Sequence, residues 1–333
     1  MPHSNRLAEL RARTALQESG LPHDGPLVRA NSTRNEVFVA SEHVIRFNQQ
    51  PNQRLQREAK ICGILPDRPW TPNVVAYGGR PGADYLIVTR RPGVSLSRVW
   101  PQMSNDQRRD AIQQFTMLLK DLHQVANQGR LRAPDEPPHL LGGSTPVGAL
   151  LDGLDRLARI PTVDAGLTSA TRDIVLNAMD ALSDYHESTL IHGDLTLENV
   201  LWDGNEITAI VDFEWCRGGP ADLDLDVLGR YFAIPQAHVS AEAESWQHTE
   251  DYLEVPTWMA EVYPELFDHP RLAERLLVYA MAFEVRDVLS NPPPDNKRNL
   301  NELHPYYRLD HLVATGGHVE ELISRLGREF QGT

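Results

Sequence analysis

The most informative part of this chain reads LIHGDLTLENVLW at residues 190–202 and, shortly afterwards, AIVDFEW at residues 209–215. A short apolar strand leads into Asp194, and Asn199 opens a second apolar strand. Asp212 stands at the end of a third predicted strand. Because the ends of neighbouring strands form a rigid frame, we expect these three polar side chains to converge on one point.

These three side chains suit the transfer of a charged group to a hydroxyl. The amide oxygen of Asn199 and the carboxylate of Asp212 are hard ligands of the kind that Mg²⁺ prefers. Asp194, which is separate from that pair, can accept the proton of an attacking hydroxyl. The structural alternative is an ordinary hairpin with acidic loop residues, and it does not account for the spacing of all three.

The same spacing resembles the catalytic loop and the metal-binding aspartate of protein kinases, in which His-x-Asp precedes an Asn and an Asp-Phe-Gly follows. In this chain Gly193 stands where kinases have Arg, and Glu214 stands where they have the final Gly. Both differences are similar to the aminoglycoside phosphotransferase and choline kinase-like family of small-molecule kinases. The resemblance implies an α+β, bilobal, protein-kinase-like fold with a small antiparallel-sheet N-lobe and a larger, mainly helical C-lobe.

The order of predicted elements along the chain agrees with that fold. The first 90 residues alternate short strands rich in Val, Ile and Phe with two helices, whereas the rest is mostly helical. We therefore expect a nucleotide-binding N-lobe with an N-terminal helix at residues 1–90, and a helical C-lobe with the catalytic loop and the acceptor site at residues 91–333. The predicted helices cover residues 5–18, 54–65, 104–125, 147–160, 169–187, 270–289 and 318–330.

A kinase N-lobe needs a cation on a central strand and a glutamate on the following helix, and this chain offers Arg46 and Glu58 for those roles. The family more often has Lys where Arg46 stands. Either cation reaches phosphate, so exchange for Lys should be tolerated; the alternative is an ordinary surface arginine. The chain contains no Walker A or Gly-x-Gly-x-x-Gly sequence, which argues against P-loop and Rossmann folds. Further nucleotide contacts expected from the resemblance come from a polar turn, namely Ser32 and Asn35, and from the backbone at the end of the fifth predicted strand, namely Val88 and Arg90.

Other residues are expected to support the catalytic loop. His192 is predicted to brace the loop by hydrogen bonds and not to act as a base, because Asp194 is better placed for that. Asp222 and Asp224 begin a helix, where carboxylates interact favourably with the N-terminal dipole. In the family an Asp after the Gly-Pro turn supports the loop, and the sequence does not choose between these two.

The charge distribution suggests a cationic acceptor. The net charge is −14; residues 1–90 carry 12 basic and 8 acidic side chains, whereas residues 91–333 carry 20 and 38. An anionic nucleotide suits the first part, and a cationic small molecule suits the second. The candidate acceptor-binding carboxylates are Glu214, Glu284 and Asp287. The alternative is that they form structural ion pairs with Arg286, Arg275 or Arg217.

Together these features predict an ATP- and Mg²⁺-dependent phosphotransferase that moves the γ-phosphoryl group to a hydroxyl of a small molecule, with an aminoglycoside-like antibiotic as the first candidate. GTP in place of ATP, a metabolite kinase for choline, a sugar or an amino sugar, and a nucleotide-binding pseudokinase are the alternatives. The acidic balance disfavours a nucleic-acid partner, and no apolar run reaches the ~18 residues of a membrane span. Two cysteines are too few for a disulfide framework, so we expect a cytoplasmic location. The sequence indicates nothing about the oligomeric state.

Overall fold

A computed structural model describes residues 2–30, 35–65, 68–127, 131, 138–239 and 244–327. Its strands are β1 (Val28–Ala30), β2 (Glu36–Val39), β3 (His43–Phe47), β4 (Val74–Gly78), β5 (Tyr85–Thr89), β6 (Val94–Ser95), β7 (Leu190–Ile191), β8 (Val200–Trp202), β9 (Ile207–Ile210) and β10 (Arg217–Gly218). Its α-helices are α1 (Pro2–Glu18), α2 (Arg54–Ile64), α3 (Leu96–Val99), α4 (Asn105–His123), α5 (Gly148–Leu157), α6 (Ala165–Ala178), α7 (Asp222–Ala233), α8 (Val255–Val262), α9 (Leu272–Ser290), α10 (Pro305–Thr315) and α11 (Gly317–Arg325).

The chain divides into two compact units. The N-terminal unit contains Met1–Val99 and Leu197–Trp215, and the helical unit contains Trp100–Thr196 and Cys216–Thr333. This division differs from the boundary expected at residue 90, because residues 91–99 and 197–215 belong to the N-terminal unit. The difference arises because β8 pairs with β6, which joins the segment around β8 and β9 to the N-terminal unit.

The N-terminal unit is built on a five-stranded antiparallel sheet in the order β1-β2-β3-β5-β4. Side chains alternate along a strand, so Ile45 of β3 faces α1 and packs with Leu16. Val44 faces the opposite side, where it packs against the cluster around Leu55 of α2. Arg46 has the same parity as Val44, which places the predicted nucleotide-binding cation on the side of the sheet covered by α2.

A second, three-stranded sheet of the same unit has the order β6-β8-β9. Strands β8 and β9 form a hairpin whose register pairs Val200 with Ile210. The N–H of Ile210 also donates to the carbonyl of Trp70 at 3.0 Å. This bond fixes the end of β9, and with it the start of the segment that carries Asp212, to the loop before β4.

The helical unit is organised around α9, which is buried on most of its circumference, as expected for a helix in the centre of a core. Helix α4 begins with a capping box between Ser104 and Gln107, which satisfies N–H groups that the first turn leaves unpaired. Strands β7 and β10 pair with Ile191 opposite Arg217. Among the described residues, no helix is long and apolar enough to cross a membrane.

Most predicted elements are confirmed, and two regions differ. The helix predicted over 169–187 is α6 followed by a 3₁₀ turn at Met179–Leu182. The C-terminal helix predicted over 318–330 is α11, which ends at Arg325, and residues 328–330 lie outside the described part of the chain. Helix α10 precedes it, within a stretch that was predicted only as mostly helical. The two helices meet at Gly316, which has a φ of 82° that side-chain-bearing residues rarely adopt.

A buried charged cluster joins several helices of the helical unit through Asp226. His139 and His318 each place Nε2 at 2.9 Å from one of its carboxylate oxygens, and Arg230 donates to it at 2.5 Å. Burial lowers the pKa of His139 to about 4, and Arg230 acts in the same direction, whereas Asp226 opposes it. His139 is therefore neutral in the folded protein at neutral pH.

We predict that acidification destabilises the protein because of this histidine. The pKa of His139 is lower in the folded state than the usual value near 6.5 of the unfolded chain, so between these values the unfolded state binds more protons. The contribution of His139 to the free energy of unfolding should fall by up to about 1.4 kcal/mol per pH unit from about pH 6.5 toward pH 4. Denaturant titrations of wild type and His139→Gln measure this slope, with His311→Gln as an exposed control. A slope that His139→Gln leaves unchanged would contradict the assignment.

Candidate active site

The hairpin of β8 and β9 positions two of the predicted metal ligands. The N–H of Val211 donates to the carbonyl of Asn199 at 2.9 Å, so Asn199, immediately before β8, lies beside the end of β9. Asp212 follows directly and has a φ of 68°, the only positive φ at a non-glycine residue in the described part of the chain. Such strained backbone is concentrated at functional sites, where the surrounding structure holds it.

Arg46 connects this hairpin to α2. Its Nη1 donates to Glu58 Oε2 at 2.5 Å, and its Nη2 donates to Asp212 Oδ1 at 2.8 Å. The Arg46 side chain is only 11% exposed. The structure therefore brings together the cation, the helix glutamate and the metal-binding aspartate that the sequence predicted for a nucleotide site, and it does not support the alternative of a surface arginine.

A second arginine lies beside this group and was not predicted. Arg54 Nη1 lies 3.4 Å from Glu214 Oε1, and the Arg54 guanidinium lies 4.3 Å from the ring centroid of Trp215. Glu214 Oε2 in turn lies 3.7 Å from Arg46 Nη2. The sequence contains a signal for Arg54, because it precedes Glu58 by four residues on α2 and so shares its helix face.

These side chains form what we call the arginine cluster, made of Arg46, Arg54, Glu58, Asp212 and Glu214. Burial alone would lower the pKa of Arg46, but Asp212, Glu58 and Glu214 outweigh it and raise that pKa above the usual value. Burial raises the pKa of Glu58 to about 7, and the nearby carboxylates add to this, while Arg46 opposes it. Three carboxyl groups thus share two guanidinium groups.

The residues present fit Mg²⁺. Asn199 and Asp212 supply amide and carboxylate oxygens at one end of the hairpin, and the Asp212 side chain is 36% exposed. No group of three or more His, Cys, Asp and Glu side chains arranged around a common point occurs in the described ranges. Protein Mg²⁺ sites commonly use one or two carboxylates and take the remaining ligands from phosphates and water, so a pair is sufficient.

The loop after β7 carries Asp194 in the helical unit. Gly193 has a φ of 82°, so the chain turns sharply before Asp194, which is half-buried. The loop backbone is held by Asp224, which accepts the N–H of His192 at 2.7 Å and the N–H of Gly193 at 2.8 Å. His123 Nε2 lies 3.1 Å from the same carboxylate.

These contacts distinguish the two aspartates that the sequence could not separate. Asp224 accepts two N–H groups of the loop that carries Asp194, and although burial opposes it, the hydrogen bonds from His123 and from the loop lower the pKa of Asp224. Asp222 instead accepts Arg275 Nε at 2.5 Å and the Tyr279 hydroxyl at 3.1 Å, both on α9. Two residues along a helix point in directions about 200° apart, which is why both cannot contact the loop.

We predict that the two aspartates differ in what their loss affects. In Asp224→Asn, one of the two loop N–H groups faces the side-chain NH₂ group, which cannot accept a hydrogen bond. The unpaired N–H costs about 1–3 kcal/mol, and the displaced loop should lower kcat. Asp222→Asn breaks a buried ion pair, which costs about 3–5 kcal/mol of stability, and should leave kcat close to wild type in protein that is folded. Kinetics and thermal unfolding of both variants test this, and equal losses of kcat would contradict it.

Four further residues were expected to contact the nucleotide. Ser32 lies outside the described residues. Asn35 is buried and directly precedes β2. Val88 packs in the cluster around Leu55. The N–H of Arg90 donates to the carbonyl of Glu42 at 2.8 Å, so this amide is already used within the N-terminal unit. This removes it from the donors expected to meet a nucleobase.

The three carboxylates suggested for the acceptor are paired with arginines. Glu214 belongs to the arginine cluster and is 4% exposed. Glu284 is buried and accepts Arg308 Nε at 3.1 Å through both oxygens, while Asp287 accepts Arg308 Nη2 at 2.8 Å and Arg286. The geometry therefore favours structural ion pairs over open binding sites for a cation. Of the three arginines suggested as partners from the sequence, only Arg286 pairs with one of these carboxylates.

Comparison with solved structures shows the same fold in several kinases of small molecules. Aminoglycoside phosphotransferase APH(4)-Ia, in a ternary complex with ADP and hygromycin B, aligns with a TM-score of 0.57 at 14% identity over 91% of this chain and 98% of that chain. A choline/ethanolamine kinase family protein from Mesorhizobium loti aligns with a TM-score of 0.56 at 18% identity over 96% of this chain and 100% of that chain. ADP-bound aminoglycoside phosphotransferase APH(2'')-Ib aligns with a TM-score of 0.56 at 13% identity over 90% and 94%.

These likenesses confirm the protein-kinase-like fold expected from the sequence. No curated protein matches the chain. The profile of the phosphotransferase enzyme family matches residues 28–262, which is more than half of the 333 residues and spans the arginine cluster, the catalytic loop and the hairpin. The chain belongs to the phosphotransferase enzyme family, whose aminoglycoside and choline kinase-like members its sequence resembles.

Proposed function

We propose that the protein is a Mg²⁺-dependent kinase that transfers the γ-phosphoryl group of ATP to a hydroxyl of a small molecule. One observation carries this proposal: Arg46 is held between Glu58 and Asp212, while Asn199 lies at the same end of the hairpin as Asp212. Phosphoryl transfer needs such fixed cations and metal ligands around the phosphates. Related structures contain ADP or AMP-PNP, which supports the nucleotide.

In this proposal the chain mainly positions charges, which is the main contribution of enzymes to this chemistry. Arg46 binds the α- and β-phosphates, and Asn199 and Asp212 hold Mg²⁺. The metal supplies charge neutralisation on the phosphates. Asp194 orients the acceptor hydroxyl and accepts its proton. The N-terminal unit binds the nucleotide and the helical unit binds the acceptor, in a protein that works in the cytoplasm.

Two acceptor classes are candidates. An aminoglycoside-like compound comes first, because related structures contain hygromycin B or streptomycin. A metabolite alcohol of the choline type comes second, since one related structure belongs to the choline/ethanolamine kinase family. The second class gains support from the pairing of Glu214, Glu284 and Asp287 with arginines, because a row of open carboxylates was the sequence argument for a polycationic antibiotic.

An ADP-release assay tests the function and separates the candidates. Aminoglycosides, macrolides, choline, ethanolamine and simple sugars are offered in turn with ATP or GTP, in Mg²⁺ and in excess chelator. We expect one acceptor class to raise ADP release above the acceptor-free rate, and chelation to abolish it. Nucleotide binding without turnover on any acceptor would favour a pseudokinase, and absence of nucleotide binding would refute the proposal.

A further inference from the structure

Two of the residues by which this chain departs from the protein-kinase pattern lie next to each other. Arg46 stands where a Lys is more common, and Glu214 stands where protein kinases have Gly. In the structure Arg46 Nη2 lies 3.7 Å from Glu214 Oε2, although 168 positions separate them in sequence. Both side chains belong to the N-terminal unit and both are largely buried, with exposures of 11% and 4%.

We infer that Glu214 is a positioning residue for Arg46, which acts together with Asp212 on the side of the guanidinium that Glu58 does not hold. The inference rests on the proposed function, because Arg46 is the residue expected to bind the phosphates. Glu58 accepts Nη1, while Asp212 and Glu214 lie around Nη2. With anchors at both ends, the planar guanidinium has one orientation before any nucleotide arrives.

This arrangement suits an arginine at position 46 better than a lysine. A guanidinium presents a rigid fork of donors and can reach carboxylates on two sides, whereas a Lys ammonium is a single point on a flexible chain. A Lys at position 46 could pair with Glu58 but would leave Glu214 with less positive charge around it. Since Glu214 is buried and Arg54 balances only part of its charge, Lys should be less well tolerated than Arg at this position while Glu214 is present, contrary to the expectation from sequence.

Arg54 makes the burial of Glu214 tolerable. It lies 3.4 Å from the other carboxylate oxygen, and its guanidinium is placed over the ring of Trp215. Glu214 therefore lies between two arginines that approach it from α2 and from β3. Because Arg54 balances part of the negative charge of Glu214, the burial of Glu214 does not depend on its ion pair with Arg46 alone.

The test restores the kinase pattern one residue at a time. Arg46→Lys and Glu214→Gly each should raise the KM for the nucleotide and lower kcat, with the KM for the acceptor unchanged. Each single variant lowers kcat/KM for the nucleotide by some factor. In the double variant Arg46→Lys/Glu214→Gly, the loss should be about tenfold smaller than the product of these two factors, since directly contacting residues couple. Glu214→Gln, which keeps the size of the side chain, should reproduce the loss seen with Gly. Arg109→Lys, in an exposed pair with Glu261, is the matched control.

The outcomes separate the inference from the function on which it rests. Additive effects in the double variant would overturn the inference, and so would variants that unfold at lower temperature but keep both KM values. If the wild type binds no nucleotide, the proposed function and the positioning role fail together. The same double-variant cycle measured on the free energy of unfolding then still reports whether Arg46 and Glu214 are coupled in the folded protein.

Discussion

Asp194→Asn should abolish phosphoryl transfer while nucleotide binding survives. The loop that carries Asp194 is fixed by two hydrogen bonds from its backbone to Asp224, so the exchange of one oxygen for an amide should leave the loop in place. Asn cannot take up the proton of an attacking hydroxyl, and loss of a general base typically lowers the rate by ~10²–10⁴-fold. The cations and the metal ligands expected to bind nucleotide belong to the N-terminal unit and are unchanged.

The measurement is kcat in the ADP-release assay together with calorimetric titration of Mg²⁺ and AMP-PNP into both proteins. Asp295→Asn makes the same chemical change at an exposed position and should behave as wild type. An Asp194→Asn protein that keeps its kcat would remove Asp194 from the role of base. A loss of nucleotide affinity as large as the loss of kcat would show instead that the loop had been disrupted.

The sequence was most informative where a function needs fixed spacing. The interval from Asp194 to Asn199 and on to Asp212 predicts a catalytic loop and a hairpin, and the structure contains that hairpin with Asn199 beside the end of β9. The pairing of Arg46 with Glu58 could be predicted because β3 and α2 follow each other and both positions are fixed by the fold. The strands and helices of the first 90 residues were predicted nearly to their ends.

The sequence was least informative where a contact depends on the direction of a side chain. Asp222 and Asp224 have the same residue type in the same turn, and only the rotation of α7 decides which one contacts the loop. Glu214 was expected to meet a cationic acceptor, but the left-handed backbone at Asp212 changes the direction of the chain two residues earlier, and Glu214 lies between arginines. No periodicity in a short sequence encodes that change.

Asp212→Asn should weaken nucleotide binding in the presence of Mg²⁺ more than Asn199→Ala does. A carboxylate neutralises the metal, whereas an amide only coordinates it. Asn is the better replacement here, because Asp212 has a φ of 68°, a region that Asn tolerates and Ala does not. The change also removes the charge that Arg46 Nη2 contacts at 2.8 Å. We expect the affinity for Mg²⁺ and AMP-PNP to fall by at least about tenfold. Residues that only support a metal ligand already contribute about tenfold or more to metal affinity, so a ligand itself should contribute no less.

Calorimetric titrations with and without Mg²⁺ separate the two roles of Asp212. If it binds the metal, the gain in nucleotide affinity that Mg²⁺ gives to the wild type should be lost in Asp212→Asn. If it only anchors Arg46, the affinity should change by the same factor with Mg²⁺ and without it, because the arginine contacts the phosphates in either case. Equal losses in Asp212→Asn and Asn199→Ala would also count against the assignment, since the charge of the carboxylate would then contribute nothing beyond coordination.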